Sequence, residues 1–188
     1  MTECGREFTR IYETRAWGYG SGGGSDAHAM TKYIDLVETA IVQLKPRVVL
    51  DIGCGDGRIA AAVRWGDARY IGVDCVASVV EDRKAQRVDA RLLDVTTDEL
   101  PTADLVLIKE VTQHLSNEMI HAVIKKLWAF PAVLHTSAVA GKVNQDIPTG
   151  HTRTVNLALH PFELDAETLC AFSAGTTKYF TQLWRPSC

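Results

Sequence analysis

A glycine-rich turn directly after an apolar run is the feature that most constrains how this chain can fold. Residues 48–52 read Val-Val-Leu-Asp-Ile, and residues 53–57 read Gly-Cys-Gly-Asp-Gly. The apolar run predicts a buried strand, and the glycines let the turn pass close beneath a ligand because they lack Cβ atoms. Apolar residues at helical spacing follow. A strand, a glycine turn and a helix in this order predict a nucleotide-binding unit of an α/β fold.

The spacing of the glycines distinguishes between two kinds of ligand. A dinucleotide-binding turn reads G-x-G-x-x-G, but here Gly57 comes one residue early and Arg58 stands in the third place. The pattern made by Asp51, Gly53, Gly55 and Gly57 resembles the first motif of class I S-adenosylmethionine (SAM) methyltransferases. The resemblance implies that the turn holds the amino-acid end of SAM and that the acidic group meets its ammonium. Another type of nucleotide-binding α/β turn is the alternative interpretation.

Two further predicted strands end in an acidic residue. Residues 69–73 lead to Asp74, and residues 90–93 lead to Asp94. In a doubly wound sheet Asp74 stands at the carboxyl end of the strand beside the first, where it can accept hydrogen bonds from ribose hydroxyls. In the methyltransferases that the chain resembles, an acid at the position of Asp94 meets the adenine amino group, and the next backbone amide, here that of Val95, meets the ring. Each acid alone is also explained as a solvated strand end or a helix cap.

A fourth predicted strand continues the resemblance. Residues 103–108 form an apolar run, and residues 109–115 read Lys-Glu-Val-Thr-Gln-His-Leu. The methyltransferases show the same pattern of a strand and a short segment that ends in His-Leu. The four features cover roughly residues 45–127. The resemblance also implies cofactor contacts for Cys54, Cys75 and Lys109, although Lys109 can equally bind an anionic acceptor or reach solvent.

His114 and Glu110 are the candidate catalytic residues, because they follow the fourth strand, next to where the methyl group should project. Methyl transfer from a sulfonium needs an acceptor held in line and, if that acceptor is protonated, a base. His114 is the better base, since the unperturbed pKa of histidine lies near neutrality. The alternative is that His114 only caps or packs the following helix.

The segment before the first strand has two parts. Trp17 and Tyr19 lie within a run of glycines and serines that would by composition be a flexible linker. Asp26 is placed to cap a helix that ends before Pro46. We interpret residues 12–25 as a mobile lid that contacts the substrate through Trp17 and Tyr19, and a disordered leader is the alternative.

A long polar segment at residues 141–157 follows the fifth predicted strand. Segments of this length in a compact domain are usually functional or disordered. This one should lie on the ligand-bearing edge of the sheet, which makes Asn144 and Arg153 candidate substrate-binding residues. Arg153 can clamp a carboxylate or phosphate through two hydrogen bonds, and an ordinary surface charge is the alternative.

The chain of 188 residues, 46% of them hydrophobic, is long enough to bury a full core as a single domain. We divide it into an amino-terminal lid and helix (1–44), a SAM-binding core (45–137), and an acceptor loop with the closing strands (138–188). The alternation of strands and helices, together with the resemblance, predicts an α/β fold. We expect a three-layer αβα Rossmann-like sandwich with a mostly parallel seven-stranded sheet and an antiparallel last strand.

The composition limits which partners we expect the protein to bind and in which cellular compartment we expect it. The net charge is −3 with both signs mixed along the chain, so no basic patch for nucleic acid is visible. We expect no membrane partner, because there is no apolar run of membrane-spanning length and no signal peptide. Five scattered cysteines without a C-x-x-C pair suit a reducing cytoplasm and argue against a disulfide framework or a metal site. The oligomeric state stays open.

The acceptor class is narrowed by motifs that the sequence lacks. Neither the Asn/Asp-Pro-Pro-Tyr signature of amino methylation on DNA bases nor a Pro-Cys pair for base-carbon methylation is present. We therefore expect a SAM-dependent methyltransferase with a small-molecule acceptor. One alternative is a non-catalytic module or partner subunit that binds SAM or S-adenosylhomocysteine (SAH). Another is a methyltransferase that acts on a nucleotide or a peptide.

Overall fold

The computed structural model describes residues 1–138 and 144–185, and the elements below belong to those ranges. The helices are α1 (Glu3–Thr14), α2 (Thr31–Leu44), α3 (Arg58–Ala62), α4 (Ala77–Ala85) and α5 (Asn117–Leu127). The strands are β1 (Val48–Ile52), β2 (Arg69–Asp74), β3 (Ala90–Leu92), β4 (Leu105–Lys109), β5 (Val133–Ala138), β6 (Glu167–Ala174) and β7 (Thr177–Trp184).

The seven strands form one sheet in the order β3-β2-β1-β4-β5-β7-β6. The first five strands of that order pair in parallel, whereas β7 runs antiparallel to both β5 and β6. In the centre of the sheet, Asp51 of β1 lies between Gly72 of β2 and Leu107 of β4. The expected α/β fold with a mostly parallel seven-stranded sheet and an antiparallel last strand is confirmed.

Two apolar clusters hold helices against the sheet. Leu50 and Ile52 of β1 belong to a cluster that includes residues of α1, α4 and α5. Val49, which points away from them because side chains alternate along a strand, belongs to a second cluster with α2. This gives the three layers that the alternating pattern predicts. None of the helices in the described ranges is long and apolar enough to cross a membrane.

Local boundaries differ from expectation at the start of α2. Asp26 was expected to cap this helix, but its carboxylate accepts hydrogen bonds from the backbone N–H groups of His28 (2.9 Å) and Ala29 (3.1 Å). It caps a turn that precedes α2, and the helix itself begins at Thr31. At α5 the Ser116 hydroxyl accepts the N–H of Met119 and so caps the start of the helix.

The long polar segment predicted at 141–157 is described from Asn144 onward, and residues 141–143 lie outside the described ranges. From residue 144 to residue 166 the described chain forms neither helix nor strand. It is nevertheless packed, because Val155, Leu157 and Phe162 are buried in the cluster that contains α5. The segment is therefore an integral wall of the fold.

Candidate active site

A cavity of about 320 Å³ lies at the carboxyl ends of β1, β2, β3 and β4. Ligands of open α/β sheets bind at this edge. On the opposite side the cavity is closed by α1 and by residues 17–25, which we call the lid. The volume is at the lower end of the range for small-molecule pockets, about 300–1,000 Å³.

The glycine turn after β1 forms the floor of the cavity. Gly53 and Gly55 line it, and both have positive φ angles, 69° and 54°. A Cβ atom on Gly55 would collide with the Ser21 hydroxyl of the lid. Glycine is therefore needed at position 55 for both its backbone conformation and its close contact.

The third glycine of the motif has another neighbour. Gly57 lies outside the cavity lining and has a φ angle of 75°. A Cβ atom there would collide with the guanidinium of Arg83, a buried residue of α4 whose Nη1 donates to Gln86 Oε1 at 2.7 Å. Gly57 thus lets the turn rest against α4, and its predicted direct cofactor contact is not supported by this placement.

The Asp74 carboxylate lies at the cavity wall and also holds the backbone around it. Its oxygens accept the N–H of Gly55 (3.1 Å) and the N–H of Val76 (3.0 Å). Burial raises the pKa of Asp74 to about 6. Cys75 lines the cavity beside it, and burial raises the pKa of its thiol as well. The predicted ribose contact of Asp74 remains a prediction that this position supports.

Asp94 has one carboxylate oxygen that is satisfied and one that is not. Its Oδ1 accepts the backbone N–H of Thr96 (2.9 Å) and the Thr96 hydroxyl (2.6 Å). Its Oδ2 is buried and has no hydrogen-bond partner among the described residues. A buried acceptor without a donor is costly, so a ligand donor would stabilise it. Val95 follows at the same wall, so both residues fit the adenine contacts that the resemblance implies.

Asp51 and Cys54 lie outside the lining of this cavity, in a smaller adjoining one. Asp51 Oδ2 accepts the Tyr70 hydroxyl at 2.8 Å, and burial raises the pKa of Asp51 to about 6. The Cys54 thiol lies against Gly72 of β2. The side chains of both residues point away from the cavity, so the expected contact between the Asp51 carboxylate and the cofactor ammonium is not supported.

Lys109 joins the sheet edge to the lid. Its Nζ donates to the carbonyl oxygen of Gly24 (2.6 Å) and to Glu110 Oε2 (2.6 Å), and it lies 5.7 Å from the ring centroid of Tyr33. The side chains of Lys109 and Glu110 are about nine-tenths and five-sixths buried. Lys109 lines the cavity, but its charge is paired with Glu110 and it also donates to the lid. Its main role in this structure is therefore to hold the lid, and a contact with the cofactor stays a prediction.

Three polar side chains follow β4 and face the cavity: Glu110, Gln113 and His114. His114 Nδ1 lies 3.0 Å from the His151 carbonyl oxygen, so Nδ1 carries a proton and donates it. His114 Nε2 therefore accepts from the Gln113 amide at 3.3 Å. Burial lowers the pKa of His114, which keeps the ring neutral at pH 7. A neutral imidazole with a lone pair on Nε2 has the form that a general base requires.

Glu110 and the lid meet closely. The backbone of Glu110 has a φ angle of 54°, an uncommon conformation for a residue other than glycine. A Cβ atom on Gly24 would collide with the Glu110 carboxylate. The strained turn therefore brings Glu110 directly beneath the lid.

The lid is docked onto the glycine turn by reciprocal hydrogen bonds. The N–H of Ser21 donates to Asp56 Oδ2 (2.9 Å), and the N–H of Asp56 donates to Ser21 Oγ (2.8 Å). The Tyr12 hydroxyl lies 2.6 Å from Ser21 Oγ. Trp17 lines the cavity and packs against His114, with ring centroids 4.6 Å apart and planes tilted by 33°, whereas Tyr19 is 85% exposed and lies outside the lining. Of the two aromatic residues predicted to contact substrate, the structure brings only Trp17 to the site.

Asn144 and Arg153 have structural contacts instead of a place in the cavity. The Asn144 amide donates to the carbonyl oxygens of Asn156 (2.8 Å) and His160 (2.9 Å). Arg153 donates to the Leu115 carbonyl oxygen (2.9 Å), to Asn117 Oδ1 (2.7 Å) and to the Gln145 carbonyl oxygen. Both residues lie outside the cavity lining, and most of their donors hold the polar segment, whereas Arg153 Nε is buried without a partner among the described residues. Their role in substrate binding stays a prediction.

The cavity lining includes residues that sequence reasoning did not name as site residues, among them Phe8, Tyr12, Gln113 and Thr152. Phe8 and Tyr12 gave a helical signal, but nothing local indicated that α1 packs over the sheet edge. Gln113 stands between the two predicted catalytic residues, and that position was the one available signal. Thr152 comes from the polar segment, whose N–H groups at Gly150 and Arg153 bond the carbonyl oxygens of His114 and Gln113.

Comparison with known proteins supports the interpretation of the core as a methyltransferase domain. Residues 49–130 match the family model of a methyltransferase domain. None of the curated protein sequences matches the chain significantly.

Solved methyltransferase structures share the fold at low sequence identity. Human N-acetylserotonin methyltransferase in complex with SAM is 17% identical with a TM-score of 0.70, and the alignment covers 100% of this chain but 61% of that protein. The Burkholderia thailandensis 1,6-didemethyltoxoflavin-N1-methyltransferase, solved with 1,6-didemethyltoxoflavin and SAH, is 17% identical with a TM-score of 0.67 and coverages of 98% and 87%. Magnesium protoporphyrin IX methyltransferase from Synechocystis PCC 6803 with bound SAM is 15% identical with a TM-score of 0.64 and coverages of 98% and 98%. Residues 49–130 thus match the model of a methyltransferase domain, and the chain shares its fold with solved SAM-dependent methyltransferases.

Proposed function

We propose that this protein transfers a methyl group from SAM to a small-molecule acceptor. The observation that carries the proposal is one cavity beneath the lid in which cofactor-type groups and a neutral histidine share the walls. Asp74, Asp94 and the glycine turn supply the first set, and His114 with its neighbours supplies the second. The proposed domain is single and comprises residues 1–188, with the three regions expected from the sequence.

The groups in the cavity fit SAM. Asp94 Oδ2, which lacks a donor in the described chain, would accept the adenine amino group. Asp74 would accept from the ribose hydroxyls, and the turn at Gly53 and Gly55 leaves room for the amino-acid end. When bound, SAM supplies a methyl group on a sulfonium, whose S–C bond breaks with its electron pair returning to sulfur as the acceptor's lone pair bonds to carbon.

The residues around the acceptor would position it and take its proton. The sulfonium is reactive without further activation, so holding the acceptor in line supplies much of the acceleration. His114 Nε2 is the ring nitrogen that would receive the proton, because Nδ1 donates to the His151 carbonyl oxygen, and it would do so in exchange for its 3.3 Å contact with the Gln113 amide. The lid keeps water out of the cavity, which strengthens hydrogen bonds inside it.

A small acceptor suits the geometry better than a polymer. The cavity is covered by α1 and the lid, and its volume of about 320 Å³ leaves little room beside a cofactor. Structurally similar proteins whose names state a small substrate, such as the didemethyltoxoflavin methyltransferase, support the proposal without extending their substrates to this chain. A cytoplasmic location accompanies the proposal, supported by the free thiols of Cys4, Cys54, Cys75 and Cys170.

Two measurements test the function. SAM and SAH should raise the free energy of unfolding by about 2.7 kcal/mol at a hundredfold excess over Kd, and NAD should not. Stabilisation by NAD alone would contradict the cofactor assignment.

In the second measurement, radiolabelled SAM is incubated with small-molecule, nucleic-acid and protein fractions of a cell extract. Label in the small-molecule fraction supports the proposal, whereas label in the nucleic-acid or protein fraction would mean that the acceptor is a macromolecule. Tight SAM binding without transfer favours a binding module.

The His114→Ala variant separates base catalysis from packing. If His114 takes the acceptor's proton, turnover should fall at least tenfold, about 1.4 kcal/mol in the barrier, while SAM affinity stays within a few-fold. His121→Ala, on the far face of α5 against Phe162, is the matched control. Equal turnover in the His114→Ala variant and the wild type would show that His114 does not act as a base.

A further inference from the structure

Gln113 holds an unusual position in the cavity. It is 6% exposed and lines the cavity, and its Oε1 is buried without a hydrogen-bond partner in the described part of the chain. Buried amide oxygens are nearly always paired, so an exception at a ligand cavity points to a donor that arrives with the ligand.

The orientation of the Gln113 amide follows from its neighbours. Its Nε2 lies 3.4 Å from Glu110 Oε1 and 3.3 Å from His114 Nε2, and both of these atoms are acceptors. His114 Nε2 is an acceptor because Nδ1 donates to the His151 carbonyl oxygen. Exchanging Oε1 and Nε2 of Gln113 would place an oxygen against two acceptors, so the amide nitrogen must face Glu110 and His114. The carbonyl oxygen is thereby left without a donor among the described residues, on a side chain that lines the cavity.

The wall beside Gln113 is aromatic. Phe8 and Trp17 line the same cavity, with the Trp17 ring packed at a tilt against His114 and Phe8 edge-on to the His114 ring at 6.3 Å. Aromatic walls favour flat apolar molecules, which stack on them or meet them edge to face. One polar acceptor in such a wall orients a flat ligand through a single donor.

We propose that Gln113 is the specificity-determining residue for the methyl acceptor, and that this acceptor is a small planar ring that carries an N–H or O–H group. The donor hydrogen is accepted by Gln113 Oε1, which orients the ring against Phe8 and Trp17. The proposal rests on the proposed methyltransferase function and adds the chemical class of its substrate. It concerns the acceptor and not the cofactor, whose adenine and ribose are assigned above to Asp94 and Asp74.

The test uses the SAH complex of the full chain and three ring probes that differ in one group: aniline, phenol and toluene. Calorimetry measures SAH binding first and then the binding of each probe to the SAH-loaded protein. We expect aniline or phenol to bind about tenfold more tightly than toluene, and the Gln113→Leu variant to lose that difference. Gln113→Leu should keep its SAH affinity within about threefold. Gln43→Leu, at an exposed position of α2, is the control for the substitution itself.

The remaining outcomes overturn the proposal in distinguishable ways. Equal binding of the three probes to the wild type, or no binding of any, would show that Oε1 does not select a ring donor. A tenfold loss of SAH affinity in Gln113→Leu would assign the oxygen to the cofactor instead. If SAH does not bind the wild-type protein, the methyltransferase function fails first. Gln113→Asn, which keeps the amide on a shorter chain, should retain part of the preference for aniline or phenol and so excludes a purely structural loss.

Discussion

Ser21 and Asp56 bond to each other twice, each through its backbone N–H to the other's side-chain oxygen. The pair joins the lid to the glycine turn, two segments that are 35 residues apart in the chain. Arg58 adds a third bond, from its guanidinium to the Gly22 carbonyl oxygen at 3.1 Å. The lid is therefore held closed by the same turn that forms the floor of the cavity.

Asp56→Ala should release the lid without unfolding the protein. The change removes the acceptor for Ser21 N–H and the partner of Arg58, while the strands and helices keep their contacts. We expect SAH to dissociate about tenfold faster, corresponding to about 1.4 kcal/mol. Stopped-flow fluorescence of Trp17, which lines the cavity, measures the rate. Asp67→Ala, at an exposed position, is the control, and equal rates in both variants would contradict the docking role.

Gly24 and Gly23 make a matched pair for testing how closely the lid approaches Glu110. A Cβ atom on Gly24 would collide with the Glu110 carboxylate, whereas one on Gly23 would meet nothing within 4 Å. Gly24→Ala should therefore displace the lid and weaken SAH binding by about tenfold, roughly 1.4 kcal/mol. Gly23→Ala should stay within twofold of the wild type. Calorimetry with SAH compares them, and similar losses in both would mean that general stiffening of the lid is responsible.

Asp51→Asn should stabilise the protein in a pH-dependent manner. Burial raises the pKa of Asp51 to about 6 in the folded state, so the folded protein holds this proton more tightly than the unfolded chain does. Ionised Asp51 consequently costs stability above about pH 6, and the cost disappears as the pH falls through that value toward 4. We expect Asp51→Asn to raise the free energy of unfolding by about 1–3 kcal/mol at pH 7 and by little at pH 4.

Urea unfolding at the two pH values measures this difference, and the exposed Asp67→Asn serves as the control. A gain that is equal at pH 4 and pH 7 would show that ionisation is not the cause. The same variant also addresses the cofactor. Because the Asp51 side chain lies outside the main cavity, SAH affinity should change less than threefold.

Arg153→Ala should reduce stability more than it reduces SAM binding. The guanidinium ties the polar segment to the Leu115 carbonyl oxygen and to Asn117, and the variant leaves these acceptors without their donor. We expect a loss of about 1–3 kcal/mol in the free energy of unfolding. Arg47→Ala, whose side chain is 90% exposed, should lose less than about 0.5 kcal/mol. An Arg153→Ala variant with wild-type stability and lost turnover would restore its predicted role in substrate binding.

The parts of the site that depend on local sequence were predictable, and those that depend on distant contacts were not. The strand before Gly53, the acids at 74 and 94, and the segment 109–115 each carry a local pattern of hydrophobicity and turn residues. The structure brings Asp74, Asp94 and His114 to one cavity, as the parallel topology requires.

Several predicted site residues lie outside the cavity lining, and the reasons share a physical cause. Arg153 and Asn144 were judged by the chemistry that their side chains can perform, but their hydrogen bonds go to carbonyl oxygens that only the folded chain brings near. Gln113 could not be selected from the sequence, because its distinguishing feature is a buried oxygen without a hydrogen-bond partner. Whether an oxygen has a partner depends on all the residues that surround it in the folded protein. Asp51 was placed at the ligand since the motif contains it, yet strand alternation turns its side chain toward Tyr70.

The packing of Arg83 against Gly57 has a consequence for the order in which mutations can accumulate. Any side chain introduced at position 57 must displace a buried guanidinium and also adopt a backbone conformation that disfavours it. Once residue 83 has become smaller, only the second obstacle remains. Descendants of this sequence can therefore lose the arginine first and the glycine afterwards far more easily than in the reverse order, so the history of the turn is constrained by a residue on another helix.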